Sequence, residues 1–224
     1  MNNTFEKVCI LGLGLIGGSI GLAIKRSNIS NQITGYARSN STLERAIELG
    51  LVDSVKDNLK DAVNNSDLVI LATPLSTFRE LVEEMSPFLK KGCIITDTGS
   101  AKLTVIEDLK DILPNGVEFV PGHPIAGTEE SGPDAGFAEL FDNRWCILTP
   151  TEDNSSNAVD LVKGFWESIG SKVEIMDPMH HDKVLAITSH IPHLIAFNIV
   201  GTANNLANVT EKEILSQIDN INSD

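Results

Sequence analysis

The chain has 224 residues, of which 42% are hydrophobic and 21% are charged, a composition typical of a globular protein rather than a disordered one. Its 31 acidic and 17 basic residues give a formal net charge of −14, so its surface repels nucleic-acid phosphates and anionic lipid. We therefore expect neither nucleic acid nor a membrane as a partner. The length suits one α/β domain with a smaller appendage.

Short apolar runs rich in Val and Ile alternate with longer amphipathic stretches up to about residue 176. This alternation predicts βαβ units, and therefore an α/β fold with a mainly parallel sheet and helices on both faces. The predicted strands are 8–11, 33–36, 68–73, 93–97, 117–122, 145–150 and 173–176. The predicted helices are 16–26, 41–49, 76–85, 102–112 and 155–168, the last with Ser155 and Ser156 as candidate caps.

The strand pattern stops near Asp177 and Pro178, where helical spacing takes over. We therefore predict a first domain over 1–177 and the start of an all-helical second domain over 178–224. A segment of this length holding one long apolar helix cannot cover that helix by itself. The helix is expected to pack on the first domain, on a second copy, or on residues absent from this chain.

A glycine-rich turn follows the first predicted strand. Gly12, Gly14 and Gly17, with Leu15 and Ile16 between them, form G-x-G-x-x-G at the start of an apolar helix. The glycines allow a tight turn, close approach of a pyrophosphate and close packing of the helix, whose N-terminus attracts phosphate. In this strand-turn-helix setting the pattern predicts a Rossmann-type dinucleotide-binding domain, with a purely structural turn as the alternative.

The end of the second predicted strand bears on the choice of cofactor. An NAD-preferring site usually has Asp or Glu here, whereas this chain has Arg38 and Ser39. A guanidinium pairs well with phosphate oxygens, so NADP, or use of both cofactors, is favoured over strict use of NAD. The alternative is that Arg38 only stacks on the adenine. Thr73 and Pro74, at the end of a later strand, are expected to line the same crevice.

Candidate catalytic residues follow two further strands. The run DTGSAK contains Ser100 and is expected to face the nicotinamide half of the cofactor, with simple turn formation as the alternative. His123 is predicted on a loop after the strand 117–122. A histidine there can accept an alcohol proton while hydride leaves the carbon, because its unperturbed pKa is near neutrality. The alternative is a histidine that only organises the loop.

Four more histidines lie in HHDKVLAITSHIPH, at 180, 181, 190 and 193. On a helix, Asp182, Ser189 and His193 lie near one face, and Pro192 is expected to bend the axis. Neither a thiolate pair nor a set of carboxylates accompanies these imidazoles, so we predict no metal. Substrate recognition by Ser189 and His193 and a polar patch between helix and sheet both remain open.

The three cysteines, Cys9, Cys93 and Cys146, are far apart and show no C-x-x-C spacing. Each lies in or beside an apolar run, so we expect buried thiols in a reduced, cytoplasmic protein. The apolar segment 8–24 contains several glycines and runs directly into polar residues. It therefore indicates a strand, a turn and a helix rather than a signal peptide or a membrane span.

Four runs in this order, GLGLIGGSIGLAIK, DTGSAK, GHPIAGTEESGP and TSHIPH, together resemble the prephenate and arogenate dehydrogenases, the TyrA family. The resemblance spans nearly the whole chain. It implies NAD(P)-dependent oxidative decarboxylation of a small-molecule substrate in tyrosine biosynthesis: prephenate to 4-hydroxyphenylpyruvate, or arogenate to tyrosine. It also implies a homodimer for the full-length family.

The same resemblance implies roles for individual residues. His123 is similar to the family's catalytic acceptor for the ring hydroxyl, and Ser100 to a serine that supports both this histidine and the nicotinamide. His193 is similar to a substrate-binding residue. The remaining motif positions around that pocket are Ser189, His190 and Glu129.

The chain also departs from the family pattern. The family continues with a longer helical domain carrying an Arg for a substrate carboxylate, whereas this chain has no Arg after Arg144. A buried carboxylate without a partner is costly, so the candidate replacements are Lys102, Arg144 and Lys183. We therefore expect a C-terminally truncated member. The alternatives are a non-catalytic dinucleotide-binding module and a related β-hydroxyacid dehydrogenase or imine reductase that uses Lys183.

Overall fold

The computed structural model describes residues 5–192 and 194–205. In this part of the chain the strands are β1 (Phe5–Leu11), β2 (Ser30–Tyr36), β3 (Ser54–Lys56), β4 (Leu68–Leu71), β5 (Ile94–Asp97), β6 (Glu118–Val120), β7 (Gly122–Pro124), β8 (Trp145–Leu148) and β9 (Lys172–Ile175). The α-helices are α1 (Leu15–Ser27), α2 (Asn40–Glu48), α3 (Leu59–Val63), α4 (Phe78–Met85), α5 (Leu103–Leu109), α6 (Ser156–Ser168) and α7 (Pro178–Leu185).

The larger sheet has six strands in the order β3-β2-β1-β4-β5-β6. All of its neighbouring strands pair in parallel, so the carboxyl ends of β1, β4, β5 and β6 lie at one edge. The chain order reverses between β1 and β4, and folds of this kind bind their ligands at that point of the edge. This sheet confirms the predicted Rossmann-type α/β fold.

Alternating side chains of β1 separate two hydrophobic cores. Val8 and Ile10 pack with residues of α1, α2 and α6, whereas Cys9 and Leu11 pack with residues of α3, α4 and α5. The period of two along a strand therefore places helices on both faces of the sheet. Burial raises the pKa of the Cys9 thiol to about 12, and Cys93 and Cys146 are also free and buried, as predicted.

The predicted strand 117–122 is wrong as a single strand, because the chain passes from one sheet to another at Pro121. β6 ends the parallel sheet, and β7 begins a second sheet of order β7-β8-β9. In that sheet β7 is antiparallel to β8, and β8 is parallel to β9. Pro121 has no N–H to donate to a ladder, which favours the break. His123 therefore lies in a strand rather than on the predicted loop.

The sequence pattern does not predict β3 or α3. These elements have three and five residues, so neither shows an apolar period long enough to detect. The other elements of the sheet domain lie within a few residues of their predicted positions. Of the two candidate caps of α6, Ser155 holds the position, and its hydroxyl accepts a hydrogen bond of 3.2 Å from the N–H of Ala158.

The chain divides into two compact units between His181 and Asp182, whereas the sequence places the boundary at 177–178. A π-helical segment, Ala186–His190, precedes Pro192, where we predicted a bend. The proline ring conflicts with the carbonyl four residues earlier, and a wider π turn relieves that conflict. The helix continues through 191–192 and 194–205, and His193 lies outside the described residues.

The described helix of the second unit exposes a series of large apolar side chains: Ile187, Ile191, Leu194, Ile195, Phe197, Ile199 and Val200. By length and composition alone, the helix over 178–205 is long and apolar enough to cross a membrane. A helix that packs inside an oligomeric soluble domain meets the same description. This exposed apolar face is therefore expected to pack against another protein surface.

Candidate active site

The glycine turn joins β1 to α1 at the carboxyl edge of the sheet. Gly12 has φ of +97°, a conformation that favours glycine, and a Cβ there would lie 2.5 Å from the carbonyl oxygen of Ala72. A Cβ at Gly17 would lie 1.8 Å from the carbonyl oxygen of Gly12. A Cβ at Gly14 would meet nothing within 4 Å. The turn is thus closely packed at Gly12 and Gly17 and open at Gly14.

The N-terminus of α1 is suited to hold an anion. Gly14 is its N-cap and provides no side chain to accept hydrogen bonds from Leu15, Ile16 and the next N–H groups. Within α1, which the structure describes in full, the first turn contains no acidic residue. Helix N-termini with exposed N–H groups and a positive dipole end favour phosphate. The open side of the turn therefore has the shape and the charge that a pyrophosphate requires.

A cleft of about 280 Å³ adjoins the glycine turn. It brings together four of the residues predicted to bind a cofactor: Gly12, Arg38, Thr73 and Pro74. Ser39 follows Arg38 as the N-cap of α2. The other lining residues were not predicted from the sequence: Tyr36, Ala37, Thr77, Glu80, Leu81 and Glu84. The i, i+4 spacing of the two glutamates on α4 was the available signal, because it puts them on one face.

Arg38 shares this cleft with two carboxylates, Glu80 and Glu84. Burial raises the pKa of the Tyr36 hydroxyl, Glu84 raises it further, Arg38 lowers it and Glu80 raises it. The tyrosine hydroxyl therefore interacts electrostatically with charges of both signs in the cleft. With two anions beside one cation, the cleft attracts a phosphate group less strongly than Arg38 alone would predict.

A buried ion pair anchors the DTGSAK run beneath the site. Lys102 and Asp97 have fully buried side chains, and the Lys102 Nζ lies 2.5 Å from the Asp97 Oδ2. The pair holds Gly122 from both sides. The Gly122 N–H donates to Asp97 Oδ1 at 3.0 Å, and Lys102 donates to the Gly122 carbonyl oxygen at 2.7 Å. Lys102 was therefore wrongly proposed as a partner for a substrate carboxylate, because its ammonium is already committed.

His123 follows Gly122 in β7, and a second histidine lies against its ring. His123 is 9% exposed and His181, on α7, is fully buried. His123 Nδ1 and His181 Nε2 are 2.9 Å apart, which is hydrogen-bond distance. The rings meet edge to face with their centroids 5.1 Å apart. This pair was not predicted from the sequence, because 58 positions separate its members and the HHD run does not show which histidine faces inward.

His123 and the glycine turn lie at the same edge of the sheet. β6, which leads to His123, is three strands from β1, or about 14 Å at the usual strand spacing. Ser100 is exposed just after β5, the strand next to β6. The edge therefore carries the glycine turn, Ser100 and His123 in that order, as a dinucleotide lying across it would require.

The other predicted site residues lie on separate segments. Glu129 and Arg144 are exposed, after β7 and before β8 respectively. Lys183 and Ser189 belong to the second unit, and His190 ends its π-helical segment. His193 lies outside the described residues. Across 5–192 and 194–205, no group of three or more His, Cys, Asp or Glu side chains is arranged to hold a metal ion.

Alanine substitutions at two glycines of the turn are expected to affect ligand binding and folding separately. Gly14→Ala should leave the thermal unfolding temperature unchanged, because its Cβ has free space. It should weaken dinucleotide binding by about tenfold, or 1.4 kcal/mol, because the methyl group fills the space for the phosphates. Gly17→Ala should lower the unfolding temperature itself. Calorimetric titration and thermal unfolding measure the two effects. Unchanged dinucleotide affinity in Gly14→Ala would remove the turn from the binding site.

Comparison with known protein families agrees with this geometry. Residues 20–175 match the nucleotide-binding domain of prephenate dehydrogenase, and residues 177–217 match its dimerization domain. The glycine turn at 12–17 precedes the first matched range. Its assignment therefore depends on the geometry described above.

Individual relatives agree with the family match. The chain is 45% identical over 197 residues to the cyclohexadienyl dehydrogenase of Zymomonas mobilis, covering 88% of this chain and 67% of the relative. It is 34% identical over 210 residues to the prephenate dehydrogenase of Bacillus subtilis, covering 93% and 57%. The structure of prephenate dehydrogenase from Aquifex aeolicus in complex with hydroxyphenyl propionate and NAD+ aligns with a TM-score of 0.82 and 38% identity, over 88% of this chain and 68% of that chain.

The chain thus spans between 57% and 67% of the lengths of these two curated relatives. The first family model nevertheless covers most of the chain, and the site geometry above agrees with a nucleotide-binding domain. From its sequence and its structure, this chain belongs to the prephenate dehydrogenase family of NAD(P)-dependent oxidoreductases.

Proposed function

We propose that this protein oxidatively decarboxylates prephenate to 4-hydroxyphenylpyruvate, or arogenate to tyrosine, with NAD(P)+ as the oxidant. The observation that carries the proposal is the position of His123. It lies at the same sheet edge as an open glycine turn, and its ring is held by a buried partner. The relatives' names, cyclohexadienyl and prephenate dehydrogenase, support this choice of substrates.

His123 is the proton acceptor in this proposal. A bound nicotinamide dinucleotide supplies the hydride acceptor. The hydrogen on the ring carbinol carbon leaves with its electron pair, and His123 holds the hydroxyl proton meanwhile. The ring carboxylate leaves as carbon dioxide, its bonding electrons complete the aromatic ring, and the proton returns to the phenolic oxygen. Because aromatisation drives the step, the protein mainly aligns the substrate and holds that proton.

Other residues are proposed to position the two ligands. The exposed hydroxyl of Ser100, on the loop between the glycine turn and His123, supports the nicotinamide and the substrate hydroxyl. Gly12, Gly14, Leu15, Ile16 and Gly17 hold the pyrophosphate through the turn and the N-terminus of α1. Substrate binding is assigned to Glu129, Ser189, His190 and His193, by motif.

We propose that the cofactor is NADP+, or that both NADP+ and NAD+ are used. Arg38 and Ser39 favour the 2′-phosphate, because a guanidinium can donate two parallel hydrogen bonds to phosphate oxygens. Glu80 and Glu84 line the same cleft and oppose a dianion there. The balance of these charges argues for moderate rather than strict selectivity.

Two opposite substitutions test this balance. Arg38→Asp is expected to shift the ratio of dissociation constants toward NAD+ by about tenfold or more, which corresponds to 1.4 kcal/mol. Glu84→Gln should shift the same ratio toward NADP+, because it removes one negative charge near the 2′-phosphate. Calorimetric titrations with both cofactors measure the ratio. If neither variant changes it, the cleft does not hold the 2′-phosphate end.

We propose that the protein acts in the cytoplasm as a homodimer formed through its helical second domain. The exposed apolar side chains of the helix over 178–205 and its match to a dimerization domain support this assembly. The formal net charge of −14 argues against nucleic acid and anionic membranes as partners.

The proposed function is tested by incubating the protein with prephenate or arogenate and either cofactor, and following the absorbance of the reduced cofactor. We expect reduction that depends on both substrate and enzyme. Thermal stabilisation by a cofactor without turnover of either substrate would instead assign this chain a binding role.

A further inference from the structure

We infer that His181 positions His123 for proton acceptance by fixing its tautomer and its ring orientation. The two imidazoles meet through His123 Nδ1 and His181 Nε2, 2.9 Å apart. The inference rests on the proposed function, since it concerns the residue that accepts the substrate proton. It adds a positioning residue that lies outside the four motif runs of the sequence.

His181 is itself firmly held. Its ring is fully buried, whereas His180, the preceding residue, is exposed. Its backbone N–H donates to the carbonyl oxygen of Asp177 at 2.9 Å, and the His180 N–H donates to Asp177 Oδ1 at 2.9 Å. These bonds fix the first turn of α7 and thereby the side from which His181 approaches His123.

A hydrogen bond between two neutral imidazoles contains one proton, and its location decides what His123 can do. If His123 Nδ1–H donates to His181 Nε2, then His123 Nε2 keeps its lone pair and can accept the substrate proton. If His181 Nε2–H donates instead, neutral His123 carries its proton on Nε2 and cannot act as the base. The proposed reaction therefore requires His181 to be neutral and to accept the bond.

The same bond becomes stronger as the reaction proceeds. Once His123 takes the hydroxyl proton, its Nδ1–H belongs to an imidazolium, and hydrogen bonds from a charged donor are shorter and stronger than neutral ones. Asp97 and Lys102 hold the backbone of Gly122, the residue before His123. His181 contacts the His123 ring itself, so it can set the orientation of that ring.

Nitrogen NMR of the full chain labelled with ¹⁵N-histidine tests the tautomer directly. In the unaltered protein, near neutral pH, we expect His123 to carry its proton on Nδ1. His181→Leu removes the acceptor and should give a mixture of His123 tautomers. His181→Gln keeps an acceptor close to the position of Nε2 and should restore the Nδ1–H form. His180→Gln is the matched control and should leave the His123 signals unchanged.

Kinetics give a second readout that a purely structural role would not produce. His181→Leu is expected to lower kcat by roughly 10- to 100-fold, with less change in the dissociation constant for the dinucleotide, and His181→Gln should recover most of the loss. A His123 ring protonated on Nε2 in the unaltered protein overturns the inference. Equal kcat in His181→Leu and the unaltered protein does so too. If no turnover is found in any form, the proposed function fails, while the NMR result still decides the role of His181.

Discussion

His123→Ala is expected to lower kcat by about 10²- to 10⁴-fold, the range typical of losing a general base, while the dissociation constant for the dinucleotide stays nearly unchanged. His123 lies about three strand spacings from the glycine turn, so its imidazole does not contact the pyrophosphate. Removing it deletes the proposed proton acceptor and leaves the turn, the cleft and the N-terminus of α1 intact. The loss is therefore expected in the chemical step and not in cofactor binding.

Single-turnover reduction of the cofactor is the measurement for this variant, because it isolates hydride transfer from product release. Calorimetric titration with the dinucleotide provides the binding constant. His180→Ala serves as the control, since that imidazole is exposed and has no contact with His123 among the described hydrogen bonds. Near-normal single-turnover rates in His123→Ala would exclude the imidazole from the mechanism.

Lys102→Met is expected to lower the free energy of unfolding by about 3–5 kcal/mol, because it leaves the carboxylate of Asp97 buried without its cation. Asp97 keeps its hydrogen bonds from the N–H groups of Gly99 and Gly122, which offset only part of this cost. The variant also loses the bond from Lys102 to the carbonyl oxygen of Gly122. The strand that carries His123 should therefore loosen along with the DTGSAK run.

Chemical denaturation followed by fluorescence or circular dichroism measures this loss. Lys110→Met is the matched control, because the ion pair of Lys110 with Glu107 is exposed, and its removal should change stability little. The double variant Asp97→Asn/Lys102→Met should be more stable than Lys102→Met, since it removes the buried charge along with its partner. A Lys102→Met protein as stable as the control would contradict the argument that the buried pair anchors this edge.

Several features of this protein could be predicted from short stretches of sequence, because they depend on interactions between residues that are close along the chain. The turn at Gly12, Gly14 and Gly17 depends on backbone conformation and on the absence of a Cβ within six consecutive residues. The strands of the parallel sheet show themselves as apolar runs, because both faces of that sheet are buried. His123 could be predicted as a candidate base because it directly follows a strand that was expected to end at the ligand-binding edge.

The features that the sequence did not reveal depend on residues that are distant along the chain. The break at Pro121 and the short edge strand β3 depend on which neighbouring strands each segment can pair with. A local pattern of apolar residues does not show that pairing. From the sequence Lys102 is a candidate partner for a substrate carboxylate, because nothing local shows that it is buried with Asp97 and bonded to Gly122. Glu80 and Glu84 line the cleft beside Gly12 and Arg38 only because α4 packs close to the ends of β1 and β2.

By itself, therefore, the sequence determined the class of fold, the glycine turn and the candidate base, all of which follow from backbone freedom and apolar periodicity over a few residues. Tertiary structure decided which charged groups are committed to each other and which histidine lies against His123. The two histidines are 58 positions apart, and the ion pair between Arg26 and Asp142 joins residues 116 positions apart. Their energies depend on burial, and burial is a property of the packed molecule rather than of any segment.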